Sequence, residues 1–114
     1  IASSLLGAGN FGDLGSNFPS SQKKYKNMSS DFFVKQSKKL LMDKGWEILY
    51  VDTTIIAQKP RLNKFVELIV DNLSKILFLD RDCINLKITS TDSVGFIGNS
   101  EGIAAQSIAT IAKI

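Results

Sequence analysis

Near its C-terminus the chain reads Gly95-Phe96-Ile97-Gly98-Asn99-Ser100-Glu101-Gly102-Ile103-Ala104-Ala105-Gln106, shortly after the hydroxyl-rich run Thr89-Ser90-Thr91-Asp92. Gly95 and Gly98 leave the backbone free to turn and to approach a ligand closely. Asn99 or Ser100 can cap a helix that Ile103, Ser107, Ile108, Ile111 and Ala112 mark by their spacing. A helix N-terminus behind a glycine-rich turn suits an anion, although Glu101 in that first turn would repel one. Read from these residues alone, the block is a loop-to-helix junction, and a tight turn into a surface helix explains it equally. Asp92 has a plain reading as a turn residue before Gly95, and Thr89-Ser90-Thr91 as strand-forming residues. Asp13, between Gly12 and Gly15, reads from the residues alone as an Asx-turn.

The composition limits what other chemistry is available. The 114 residues include no histidine and one cysteine, Cys83, so an internal disulfide is excluded and the residues do not suit zinc, which favours nitrogen and sulfur donors. The net charge of +3 comes mainly from lysine, with Arg61 and Arg81 the only arginines. That charge is too mild and scattered to imply nucleic acid. Lys23-Lys24-Tyr25-Lys26 is the one dense basic patch, read as a solvated loop; RNA binding there would need an exposed aromatic platform, for which only Tyr25 is at hand. No apolar run is long enough to span a bilayer, and no membrane partner is expected. The chain opens at Ile1 within an apolar stretch and is expected to be a piece of a longer protein.

The elements that must carry these residues follow from periodicity. Residues 1–8 read as the end of a helix, stopped by Gly7, Gly9 and Gly12. Phe11 to Ser29 is a polar loop long enough to be a lid candidate. Ser29 or Ser30 caps a helix carrying Phe33, Val34, Ser37, Leu40 and Leu41, which ends at Gly45. Trp46 to Ala57 predicts a strand with Ile48, Tyr50, Asp52, Thr54 and Ile56 on one face. A helix after Pro60 presents Phe65, Val66, Leu68, Ile69, Leu73, Ile76 and Leu77 as a wide apolar face. Ile84 to Thr91 predicts a second strand, and a last helix is expected from Asn99 onward. Two strands with three or four helices make an α+β domain with helices on one face of a small mixed sheet. At this size oligomerisation is a natural source of further stability.

Four blocks in register carry a family resemblance: Gly12-Asp13-Leu14-Gly15-Ser16-Asn17-Phe18-Pro19, Val51-Asp52-Thr53-Thr54-Ile55-Ile56-Ala57-Gln58-Lys59-Pro60-Arg61-Leu62, Lys87 to Asp92, and Gly95 to Ala105. Together they resemble the 2-C-methyl-D-erythritol 2,4-cyclodiphosphate synthases, from Ser4 to the C-terminus. The resemblance implies a lyase of non-mevalonate isoprenoid biosynthesis, in the bacterial cytoplasm or a plastid-type stroma. In such an enzyme a phosphate of the substrate attacks a phosphorus of the same molecule's cytidine diphosphate arm and releases CMP. It also implies a homotrimer around a central axis, with active sites between neighbouring subunits and an N-terminal hairpin joining the sheet. Residues 1–114 would then be one such domain lacking that hairpin and the metal-binding segment.

Carried over residue by residue, the resemblance places Asp92 where the family has a Glu for a phosphate-bound magnesium or manganese ion, and Ser90 beside it in the catalytic group. Thr89, Ser90 and Thr91 match a triplet that contacts substrate phosphates. Ala57, Pro60, Arg61 and Leu62 match the cytosine pocket, Asp13 and Gly15 the motif that holds the methylerythritol hydroxyls, and Phe18 and Phe96 further substrate contacts. The family's zinc is held by a carboxylate and two histidines, which by register would lie before Ile1; without them this chain alone is expected to be inactive. Departures include Ser3 in place of an Asp, Ser20-Ser21-Gln22 in place of acids around a Thr, and Asn99 in place of an Arg that partners the Glu matched by Glu101. An isoprenoid diphosphate in the axial cavity is therefore not expected. The alternative reading is a catalytically inactive, family-derived trimer serving as a nucleotide-binding or structural module.

Overall fold

The computed structural model describes all 114 residues, and its frame is a three-stranded mixed sheet covered by helices on one face. Helix α1 (Ala2–Ala8) ends at Gly9. The following segment forms a one-turn helix α2 (Leu14–Asn17) and a single 3-10 turn at Lys23–Tyr25. Helix α3 (Ser30–Asp43) is capped by the Ser29 hydroxyl, which accepts from the Asp31 amide, with the Asp31 carboxylate well placed in the first turn. Gly45 then turns the chain at φ +82°, a conformation open to glycine. Strand β1 (Trp46–Ile56) leads to helix α4 (Val66–Leu77), and strand β2 (Ile84–Thr89) returns parallel to β1. Helix α5 (Gly95–Gly98) is one turn, and strand β3 (Ala104–Lys113) runs antiparallel to β1 on its other edge.

Strand β3 replaces the expected C-terminal helix. The spacing of Ile103, Ser107, Ile108 and Ile111 fits both periods, and periodicity cannot separate them over so short a stretch. Two features favour the strand. Ile108, Thr110 and Ile111 are β-branched, and the edge of β1 offers an unpaired ladder to them. The sheet therefore has a third strand from the C-terminal segment itself, which lifts it above a marginal two-stranded ribbon.

The alternation in β1 also differs from a simple two-residue period. Ile48 pairs with Ile111 but Tyr50 pairs with Thr110, so Leu49 is a one-residue bulge. The bulge puts Ile48 on the same side as Val51 and Thr53, whereas unbroken alternation groups it with Tyr50. Leu5, Leu41, Val51 and Leu77 are almost fully buried at the centre of the core, where α1, α3 and α4 meet the sheet. Each such Leu contributes on the order of 1.5–3 kcal/mol through burial. Between α1 and the strands, the Thr53 and Ser107 hydroxyls bond at 2.9 Å, which lets two polar side chains sit beside the core.

The apolar face of α4 holds Val70, Leu73, Ile76 and Leu77 inside, whereas Leu68, expected on that face, is 65% exposed, and Phe65, also expected there, precedes the helix and is exposed. The helix ends at Phe78, which adopts φ +50°. There the Lys38 ammonium donates to the Leu77 carbonyl at 2.6 Å and lies 4.7 Å from the Phe78 ring centroid, satisfying a helix-end acceptor. Partial burial holds the Lys38 pKa below its usual value.

The sheet's other face has no helices on it. Tyr50 and Ile108 stand exposed there, beside an Asp52 carboxylate that accepts from Lys87 and Asn85 on β2. The Lys87 bond, and then the Asn85 bond, hold the Asp52 pKa below the ordinary carboxylate value.

Candidate functional site

Strands β1 and β2 run parallel, so both carboxyl ends open at the same edge of the sheet, where ligands of such sheets usually bind. Their pairing continues one step past β1, with the Ala57 amide donating to the Thr89 carbonyl at 2.9 Å. Beyond that bond the two chains diverge. A cleft of about 370 Å³ lies between them, lined by Ala57, Gln58, Pro60, Arg61 and Asn63 from one side and Ile88, Thr89 and Ser90 from the other. Two sequence blocks about thirty residues apart are thereby brought to one site. Leu62 follows in the same turn but does not line the cleft.

The loop after β2 is held in an unusual backbone conformation. Asp92 and Ser93 have φ of +52° and +68°, both in the left-handed region, which costs non-glycine residues on the order of 1–3 kcal/mol each. Several bonds fix it. Ser90 Oγ accepts from the Asp92 amide at 3.3 Å, Thr91 Oγ1 donates to the Val94 carbonyl at 2.6 Å, and Gln58 Oε1 accepts from the Ser93 amide at 3.0 Å. The Thr91 hydroxyl hydrogen is thus committed to the loop, while the Asp92 carboxylate is exposed, with Ser90 Oγ at 3.5 Å. Gly98 in α5 backs the loop: a Cβ there would strike the Ser93 carbonyl carbon, with Ser93 Cα at 2.7 Å and Thr91 Oγ1 at 2.8 Å. The Gly95–Gly98 block therefore lets α5 press against the Thr91–Ser93 loop; Phe96 itself is 62% exposed and packs over Gly102.

Asp13, Gly15 and Phe18 lie elsewhere. Asp13 caps α2, accepting from the Ser16 amide at 2.8 Å. That bond, and then the Ser16 side chain, hold its pKa below the ordinary value. Gly15 and Phe18 line a second cleft of about 390 Å³ with Leu14, Pro19 and Phe33, and it shares no residue with the first. Phe18, Tyr25, Phe32 and Phe33 form a cluster with ring centroids 5.3–6.3 Å apart, which ties the 11–29 segment to the start of α3. Tyr25 is half-buried in that cluster, so it is not the free platform that RNA stacking needs.

Gln58 and Asn63 line the first cleft without having been singled out by spacing. Gln58 sits within a matched block but has no periodic signature; only the fold reveals that it reaches Ser93. For metal, hard oxygen donors at Ser90 and Asp92 fit a divalent cation whose other ligands come from phosphates and water. The residues present do not fit zinc: there is no histidine, and no three His, Cys, Asp or Glu side chains gather in one place.

The fold and the cleft define a small α+β domain with a polar site at the carboxyl ends of two parallel strands. The family model for the YgbB family matches residues 1–112. A Clostridium acetobutylicum 2-C-methyl-D-erythritol 2,4-cyclodiphosphate synthase is 44% identical over 95% of this chain and 70% of its own length. Among solved structures, the bifunctional IspDF from Campylobacter jejuni superposes with a TM-score of 0.95 at 33% identity, covering all of this chain and 31% of that one. A Plasmodium falciparum IspF structure, a CDP complex, gives a TM-score of 0.84 at 30% identity over 97% of this chain and 65% of its own. The chain belongs to the YgbB family of 2-C-methyl-D-erythritol 2,4-cyclodiphosphate synthases. It spans about 70% of the Clostridium relative and under a third of the bifunctional structure. No helix is long and apolar enough to cross a membrane.

Proposed function

We propose that residues 1–114 form a domain of an enzyme that converts 4-diphosphocytidyl-2-C-methyl-D-erythritol 2-phosphate to the 2,4-cyclodiphosphate and CMP. The observation that supports this best is the convergence of Ala57, Pro60 and Arg61 with Thr89 and Ser90 on one cleft, with Asp92 two residues beyond Ser90 in the adjoining loop. In the reaction an oxygen of the 2-phosphate bonds to the nearer phosphorus of the diphosphate, and the bond from that phosphorus to CMP breaks. The substrate supplies its own nucleophile, so the protein's task is to position and neutralise phosphates. Backbone groups of the turn read cytosine, the Arg61 guanidinium pairs with a phosphate, and the Ser90 hydroxyl orients another. Asp92 would hold a divalent cation bound to the substrate's phosphates, which would offset their charge. Zinc ligands of the family lie outside these residues.

A backbone-built pocket distinguishes cytosine from uracil by reversing the demand on donors and acceptors. The protein should therefore bind CMP more tightly than UMP, by at least about tenfold. Isothermal titration of the two nucleotides measures this, and equal affinities, or none, would remove the nucleotide reading.

The bare sheet face and the separation of the Gly15–Phe18 cleft from the Arg61 cleft support a second element of the proposal. Three copies pack around an axis through that face, and each active site combines the two clefts from neighbours. Sedimentation equilibrium of the complete polypeptide should give three subunits. A monomer with full catalytic activity would count against shared sites.

A further inference from the structure

The Gln58 side chain spans the cleft's two loops. It leaves the carboxyl end of β1, and its Oε1 accepts from the Ser93 amide at 3.0 Å. The bonds from Asp92 N to Ser90 Oγ and from Thr91 Oγ1 to Val94 O are internal to the Ser90–Val94 loop. They shape the loop but do not place it. The Gln58 bond runs instead to the turn facing it, and it lands on Ser93, the second of two consecutive non-glycine residues at positive φ. A strained backbone persists only where its surroundings over-determine it, so an anchor at Ser93 also governs the neighbouring Asp92.

We propose that Gln58 is a positioning residue whose amide oxygen fixes the Asp92 loop relative to the Ala57–Leu62 turn. The role rests on the reading of the cleft as a cytidine nucleotide site. Gln58 touches no reacting atom. It acts on turnover through the placement of Asp92 and Ser90, where displacements of an ångström cost large factors in rate. Cytosine recognition belongs to the turn on which Gln58 itself stands, and the Ala57–Thr89 bond holds that turn without it. Loss of the Gln58 acceptor therefore separates nucleotide binding from turnover.

The test uses the complete polypeptide with Gln58→Met, which keeps length and removes the acceptor, and Gln58→Glu, which keeps an acceptor oxygen. Amide hydrogen exchange at Ser93 reads the bond directly. It should quicken about tenfold in Gln58→Met, as expected for one net hydrogen bond, and stay near wild type in Gln58→Glu. Steady-state kinetics with magnesium should show kcat falling by about tenfold or more in Gln58→Met, with CMP affinity little changed. Equal Ser93 exchange in the two variants would overturn the bond's role. Normal kcat in Gln58→Met, in a protein whose wild type binds CMP and turns over, would overturn the positioning role alone. A wild type that binds no CMP would overturn the nucleotide reading and this role with it.

Discussion

Asp92→Asn in the complete polypeptide should lower turnover by roughly 10²–10³-fold, about 3–4 kcal/mol of transition-state stabilisation. The substitution is well suited to isolating charge. Asparagine tolerates the left-handed region as aspartate does, so φ of +52° is kept. The bond from the residue 92 amide to Ser90 Oγ uses backbone and also survives. What is lost is the formal charge that anchors a hard cation among phosphates; an amide oxygen is a much weaker ligand for it. CMP affinity should change little, because the cytosine turn is on the other side of the cleft. Turnover measured across a magnesium titration checks this. Near-normal rates at limiting magnesium would reduce Asp92 to a turn residue.

Much of this arrangement was legible in the chain because local signals and burial agree. Ser29 and Gly45 bracket α3 with a cap and a positive-φ stop, and the apolar stripe of α4 is buried at Leu73, Ile76 and Leu77 as its spacing predicts, though Phe65 and Leu68 fall outside it. Strand β2 alternates cleanly, with Ile84 and Leu86 towards the core and Lys87 away from it. The C-terminal segment misleads for a definable reason. Alanine favours helices, the Asn99-Ser100 pair looks like a cap, and the β-branched residues that decide for a strand gain their advantage only once β1 is beside them. Strand choice here is a tertiary decision.

The bulge at Leu49 was equally hidden. A single unpaired residue leaves no trace in composition, yet it reverses which face of β1 the preceding residues take. The candidate site divides along similar lines. Ala57, Pro60 and Arg61 meet Thr89 and Ser90 because parallel strands end together, which pattern reading anticipates once both strands are assigned. Asp13, Gly15 and Phe18 carry an equally strong motif, but Gly15 and Phe18 stand in a separate cleft and Asp13 caps α2 outside both, and nothing in spacing reveals the distance between two motifs in one chain. Gln58 is the opposite case: its neighbours form the motif, while its own role depends on where Ser93 happens to lie.

Gly98→Ala tests the packing that these motifs hide, and its effect should rival that of Asp92→Asn. The added methyl would meet the Ser93 backbone carbonyl carbon, with Ser93 Cα at 2.7 Å and Thr91 Oγ1 at 2.8 Å. Two of those three atoms are backbone, so no side-chain rotation relieves the contact, and the loop or α5 must shift. Such overpacking costs about 1–3 kcal/mol and should lower Tm measurably. Displacement of the Thr91–Ser93 segment also moves Asp92 and stretches the Gln58 bond, and turnover should fall by roughly 10²-fold. The turn from Ala57 to Leu62 is held by β1 and the Thr89 carbonyl rather than by α5, so CMP should still bind. Gly7→Ala supplies the control: it lies within α1 with open space around its Cβ position, and the methyl should stabilise the helix by about 0.5–1 kcal/mol without touching turnover. A Gly98→Ala protein with wild-type kcat and Tm would show that the loop yields freely, and that its left-handed backbone is not what holds Asp92 in place.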